Sequence, residues 1–127
     1  LFSNALTPAL LGATLKTLEL VKGGDALRAQ LFRNATRFRE GMARAGFTLL
    51  PGEHPIIPVM LGDARLAQDL AAAMMDEGVY VTGFSFPVVP KGQARIRTQM
   101  CAGHSDEQVD RAVTAFMRAG RAVGVLR

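Results

Sequence analysis

The run Ala94–Met100 (ARIRTQM) alternates, and that alternation limits the fold. In an extended chain Ile96, Thr98 and Met100 point one way, while Arg95, Arg97 and Gln99 point the other. One face of such a strand is built for a core. The opposite face carries two guanidiniums. Upstream, Val79–Phe86 is a second strand-like run rich in valine, aromatic and threonine residues, and Pro87–Gln93 between the two is turn-forming.

The helices announce themselves by their caps and stripes. Thr7-Pro8 reads as an N-cap followed by proline at the first helical position. Leu11, Thr14, Leu15, Leu18 and Val21 then keep helical spacing, and Gly23-Gly24 ends the helix. Asp25 is placed to cap a second helix, with Leu27, Leu31, Ala35, Phe38 and Met42 on one stripe and Gly46 as the stop. Arg28, Arg33, Arg37 and Arg39 lie mostly off that stripe and read as a solvated face.

Two short strands are expected next, Phe47–Leu50 and Ile56–Leu61, joined by the Pro51-Gly52 turn. Pro58 in the second calls for an edge position or a bulge. Asp63 caps a helix through Glu77, with Leu66, Leu70, Ala73 and Met74 facing inward and Gly78 closing it. After the strand pair, Ser105 and Gln108 form a capping box, followed by the stripe Val109, Ala112, Val113, Phe116, Gly120 and Val123. The order after two helices is ββαββα. This predicts an α/β fold of the α+β type: a small, mainly antiparallel sheet with helices packed on one face.

Composition narrows the function. The chain has 127 residues, 49% hydrophobic and 20% charged, which suits one domain with a real core. Its net charge of +4 comes from scattered arginines with no basic run interleaved with aromatics, so nucleic acid is not the expected partner. No apolar segment is long enough to span a bilayer, so no membrane partner is expected. Leu1–Leu20 lacks the basic start of a signal peptide. A single cysteine, Cys101, excludes an internal disulfide and fits a reducing cytoplasm, where it reads as a small buried filler. The abrupt start at Leu1 suggests a piece of a longer protein.

Few residues offer chemistry. Arg95 and Arg97 form either a solvated face or a receptor for carboxylate or phosphate. A Ser3-Asn4 pair in an extended lead is ordinarily a cap or a turn. His104, just before Ser105, suits a local hydrogen bond, and His54 suits an exposed turn. Neither has triad-like or metal-like neighbours, so no metal site is expected. Lys91 lies in a Pro-Lys-Gly turn and should be solvated; Lys16 and Lys22 fall on a helix surface.

The stretch PVVPKGQARIRTQMCAGH resembles the C-terminal region of the α-oxoamine synthases, pyridoxal-phosphate (PLP) enzymes of fold type I. Leu1–Pro8, His54–Gly62 and Gly78–Gly83 match the same family in the same order, so the resemblance covers essentially the whole chain. It implies a lead and interdomain helix over residues 1–22 and a C-terminal small domain over 23–127, the large PLP-binding domain lying upstream. It implies an acyltransferase acting on glycine and acetyl-CoA, a homodimer with shared active sites, and PLP held mainly by the upstream domain. Arg97 would bind the amino-acid carboxylate. Ser3 and Asn4 would reach the cofactor phosphate of the partner subunit. No catalytic residue falls in this chain, because the family's Schiff-base lysine, ring-stacking histidine and pyridine-pairing aspartate all lie upstream. Ser85-Phe86, where an aromatic pair ending in tyrosine is expected, puts the fine substrate preference in question. Cys101-Ala102-Gly103 replaces a serine and alanine run, which reads as packing adjustment. Other family members differ in their amino-acid and acyl partners, and a non-catalytic amino-acid-binding module is the alternative from another class.

Overall fold

A computed structural model describes residues 5–126. Its elements are α1 (Pro8–Lys22), α2 (Asp25–Arg44), β1 (Ile56–Gly62), α3 (Ala64–Asp76), β2 (Thr82–Phe84), β3 (Ala94–Gln99) and α4 (Asp106–Ala122). The three strands form one antiparallel sheet in the order β1-β3-β2. α3 lies on the sheet, and α2 and α4 pack with each other, α4 also with α3 and α2 also with β1. The expected small antiparallel sheet with helices on one face is what forms.

The caps of α1, α3 and α4 are where the sequence put them. The Thr7 hydroxyl accepts from the Leu10 amide at 3.4 Å, and Asp63 accepts from Leu66 at 2.9 Å. Ser105 and Gln108 bond reciprocally, at 3.3 and 2.9 Å. A hydrogen bond from Ser105 also holds the Glu107 carboxyl below its ordinary range, which suits an acidic group in the first turn of a helix. Gly46 and Gly78 take positive φ after α2 and α3, the left-handed conformation that ends a helix most easily with no side chain.

Alternation on β3 holds as read. Ile96, Thr98 and Met100 are buried, Arg97 and Gln99 are exposed, and Arg95 is half-buried. Ile96 joins Phe38, Met42, Ile57, Val59, Leu70, Met74 and Phe116 in the core. Phe116 sits edge-on to both Phe38 and Phe47, with ring centroids 6.0 and 5.7 Å apart. Thr98 is buried at no loss, because its hydroxyl donates to the Ile57 carbonyl at 2.7 Å.

Several expectations need correction. Phe47–Leu50 is not a strand but a single bridge, Leu49 to Val59. The segment between the end of α2 and Pro51 is too short to pair further, yet it covers the outer edge of β1: Leu50 N–H donates to Pro58 O at 3.0 Å and Met60 N–H to Thr48 O at 2.8 Å. Pro58 therefore turns its hydrogen-free nitrogen away from β3, as an edge strand allows, and a register shift follows between Met60 and Gly62. Val79–Phe86 shrinks to Thr82–Phe84, since the Val79 amide is spent on the Met74 carbonyl at the end of α3. Asp25 is the first residue of α2 rather than its cap; Gly24 holds that position, and Asp25 pairs with Arg28. Leu27, placed on the α2 stripe, is exposed, because α4 and β1 reach α2 only further along.

Cys101 is exposed, not a buried filler. The turn after β3 directs its carbonyl inward to Asn34 and leaves its thiol outside, where it accepts from the Gly103 amide at 3.3 Å. Arg37 and Arg39 are more than a solvated face. Arg37 grips both carboxylate oxygens of Asp110, at 2.8 and 2.7 Å, and reaches Asp106 at 3.1 Å, tying α2 to α4. Arg39 donates to the carbonyls of Leu50 and His54, at 3.1 and 3.0 Å, and so holds the turn that leads into β1.

α1 stands apart from this packing. None of its residues is buried, and Leu10, Leu11, Leu15, Leu18 and Leu20 are between 45% and 67% exposed. No helix among the described residues is long and apolar enough to cross a membrane.

Candidate functional site

The helix-free face of the sheet is built by register. Arg97 stands opposite Pro58 of β1 on one side and Thr82 of β2 on the other; Arg95 stands between Met60 and Phe84. The two guanidiniums thus rise from the middle strand, bordered by Pro58, Met60, Thr82 and Phe84. The Arg97 guanidinium lies over the Phe84 ring, 4.8 Å from its centroid. Among the described residues, no carboxylate lies within ion-pair distance of Arg95, Arg97 or Arg111.

Beside Arg97 a cavity of about 480 Å³ opens between the run that leads into β2, the last residues of β3 and α4. Tyr80, Gln99, His104, Gln108 and Arg111 supply its polar lining, over an apolar floor that includes Phe116. The tyrosine is 80% exposed. Arg97 borders this cavity, with its guanidinium turned over Phe84, and Arg111 lines it from α4; among the described residues neither has a carboxylate within ion-pair distance. A guanidinium of that kind presents parallel donors matched to a carboxylate. Arg111 and Tyr80 were not legible beforehand, because nothing in their spacing distinguishes them from ordinary surface residues.

The other expected residues fall out simply. Ser3 and Asn4 lie outside the described residues. His104 makes the local bond expected, its Nδ1 accepting from the Cys101 amide at 3.2 Å. His54 is exposed, and its Nδ1 accepts from the Ile56 amide at 3.0 Å. Lys91 is exposed in its turn, 5.2 Å from the Phe86 ring centroid. Among the described residues no cluster of His, Cys, Asp and Glu could hold a metal ion.

Asn34 was not singled out from sequence, yet it organises the approach to this site. It is fully buried on α2. Its amide nitrogen donates to the carbonyls of Cys101 and His104, both at 2.8 Å, and its oxygen accepts from Gln30 at 2.8 Å. The turn carrying His104 from β3 into α4 is therefore pinned to α2.

The chain is 59% identical to the 2-amino-3-ketobutyrate coenzyme A ligase of Escherichia coli (strain K12) over 126 residues, covering 99% of this chain and 32% of that protein. It is 38% identical to the 8-amino-7-oxononanoate synthase/2-amino-3-ketobutyrate coenzyme A ligase of Thermus thermophilus, over all of this chain and 32% of that one. Among solved structures, the serine palmitoyltransferase of Sphingomonas wittichii superposes with a TM-score of 0.91 at 31% identity, covering 100% of this chain and 32% of that one. A serine palmitoyltransferase solved with PLP gives a TM-score of 0.92 at 30% identity, over 99% of this chain and 32% of that one. The chain thus spans about a third of the length of the curated relatives it matches. The family description "Aminotransferase class I and II" matches residues 1–116, and the chain belongs to that family.

Proposed function

We propose that this chain is the C-terminal domain of a PLP-dependent acyltransferase that joins glycine and acetyl-CoA to give 2-amino-3-oxobutanoate and CoA, or runs the reverse in threonine breakdown. The observation that carries the reading is Arg97, on the helix-free face of the middle strand with no carboxylate within ion-pair distance among the described residues. Its guanidinium holds the amino-acid carboxylate by two parallel hydrogen bonds and so fixes the direction of the Cα–H bond. The 59% identity to the E. coli ligase supports that substrate pair. Residues 1–22 form the lead and interdomain helix, and residues 23–127 the small domain; the uncovered leucines of α1 fit a helix that packs on further polypeptide.

PLP, when bound, would supply an electron sink next to the amino-acid Cα. The described residues do not by themselves fit it. Lys16, Lys22 and Lys91 are all exposed, and Lys16 is already paired with Glu19 at 2.6 Å. None is desolvated as a Schiff-base lysine needs to be. We place that lysine in the remaining two-thirds of the enzyme, and no catalytic residue in this chain. Ser3 and Asn4 reach the cofactor phosphate of a partner subunit in a homodimer. The exposed thiol of Cys101 suits a reducing cytoplasm.

A second reading is favoured by the two-activity name of the Thermus relative: another α-oxoamine synthase, with alanine and pimeloyl-CoA as substrates. The test is CoA release by the complete enzyme with PLP. Release with glycine and acetyl-CoA supports the first reading. Release with only the other pair keeps the family and changes the substrate. Release with no pair refutes both, and amino-acid binding without turnover then favours a binding module. Arg97→Ala should raise the glycine KM roughly 30- to 150-fold, for a charge-assisted pair of about 2 to 3 kcal/mol. An unchanged glycine KM removes Arg97 from the role.

A further inference from the structure

Arg97 has a long, flexible side chain on an exposed strand face, and among the described residues no carboxylate holds it. An arginine in that position ordinarily samples many rotamers, and each one must be given up when a ligand binds. Here one neighbour narrows the choice. The Phe84 ring lies beneath the guanidinium at 4.8 Å. In register Phe84 faces Arg95, so Arg97 is its diagonal neighbour, within reach of a long side chain.

The strand that carries the ring is backed from below. Gly83 turns to the helix side of β2, where an added Cβ would lie 3.1 Å from the Ala67 carbonyl of α3. The lack of a side chain lets the strand backbone sit directly on the helix. That contact aims Thr82 and Phe84 at the open face. The ring is therefore carried on a backed strand rather than on the turn that follows it.

We propose that Phe84 is a positioning residue for the amino-acid carboxylate: its ring holds the Arg97 guanidinium in the plane in which it receives the substrate. This rests on Arg97 as the carboxylate binder. The ring face attracts the cation and leaves its edge donors free, so it orders the fork without competing for the ligand. Phe84 touches no reacting atom and acts through Arg97.

The test uses the complete enzyme with PLP and four forms: wild type, Phe84→Leu, Phe84→Tyr and Arg97→Ala. Glycine affinity is read by calorimetry without acetyl-CoA, and KM and kcat are measured for both substrates. Phe84→Leu keeps apolar bulk but loses the ring face. It should weaken glycine binding and raise the glycine KM roughly three- to thirtyfold, the span of a cation–π contact from exposed to desolvated sites, with the acetyl-CoA KM unchanged. Phe84→Tyr keeps the ring and should restore glycine affinity to within about twofold of wild type. If Arg97→Ala weakens glycine binding but Phe84→Leu does not, the positioning role is wrong and the carboxylate reading stands. If Phe84→Tyr fails as badly as Phe84→Leu, or both substrates suffer equally, Phe84 is merely structural. If Arg97→Ala leaves glycine affinity intact, the carboxylate reading falls, and this role with it.

Discussion

Replacing Asn34 by alanine should cost this chain about 2 to 4 kcal/mol of stability. The figure follows from what the side chain serves. The Cys101 carbonyl keeps one partner, since the His104 amide also donates to it at 3.2 Å, so there the loss is that of one ordinary hydrogen bond, about 1 kcal/mol. The His104 carbonyl has Asn34 as its bond and no backbone donor to replace it, so it pays the larger cost of an unmet acceptor, about 1 to 3 kcal/mol. Gln30 loses a partner too, but it is only half-buried and can turn to water. Urea denaturation followed by circular dichroism measures the difference. The isosteric change Asn34→Asp sharpens the test. It sets a carboxylate against two carbonyl oxygens, which raises its folded pKa above the unfolded value. The protonated form is then favoured in the fold, so the deficit relative to wild type should shrink as pH falls and grow as pH rises through that range. A loss below about 0.5 kcal/mol for Asn34→Ala, or an Asn34→Asp deficit that does not change with pH, refutes the hub.

Phe116→Ala, at the meeting point of Phe38 and Phe47, should lower stability by about 3 to 5 kcal/mol in the same assay. Gly83→Val should cost about 1 to 3 kcal/mol, because its side chain must displace β2 from the Ala67 carbonyl, and the two-strand register of β2 with β3 should be the first amide protection lost in hydrogen exchange. The Arg37 guanidinium holds the Asp110 carboxyl below its usual range, chiefly by direct hydrogen bonding. The folded pKa is depressed, so this stabilisation is present above the unfolded value and lost as pH falls through the folded one; in a series of melting curves, Arg37→Ala should flatten the acid limb. The 127-residue chain should self-associate through the uncovered leucines of α1 on size exclusion, and a chain begun at Asp25 should run closer to its own mass.

Local signals carried through to the structure where the chain itself supplies both partners. Thr7-Pro8, Asp63 and the Ser105–Gln108 box each bond within one turn, and the alternation of β3 needs only the pleat. The misreadings have distant partners. Asn34 looked like one polar residue on a helix, because its acceptors lie 67 and 70 positions away. Arg37 looked solvated for the same reason, its carboxylates lying 69 and 73 positions away, and Arg39 because its acceptors lie in a turn 11 and 15 positions on. The β2 run read as eight residues because valines favour strands, but the end of α3 claims the first amide. The exposed strand face of Arg97 was legible from alternation, with its role resting on resemblance alone, whereas the approach of Phe84 became visible only when register placed it diagonally opposite.

The place of β3 between its two neighbours has a mechanical consequence. A side chain on a flexible loop can be fetched by its ligand, through local motion of the loop alone. Arg97 stands on the strand with hydrogen-bonded partners on both sides and a layer of helices beneath. Its backbone has little freedom to advance by itself. Any advance of its backbone towards a bound molecule is an advance of the whole sheet and its helices, so only the reach of the side chain itself can adjust locally to the ligand.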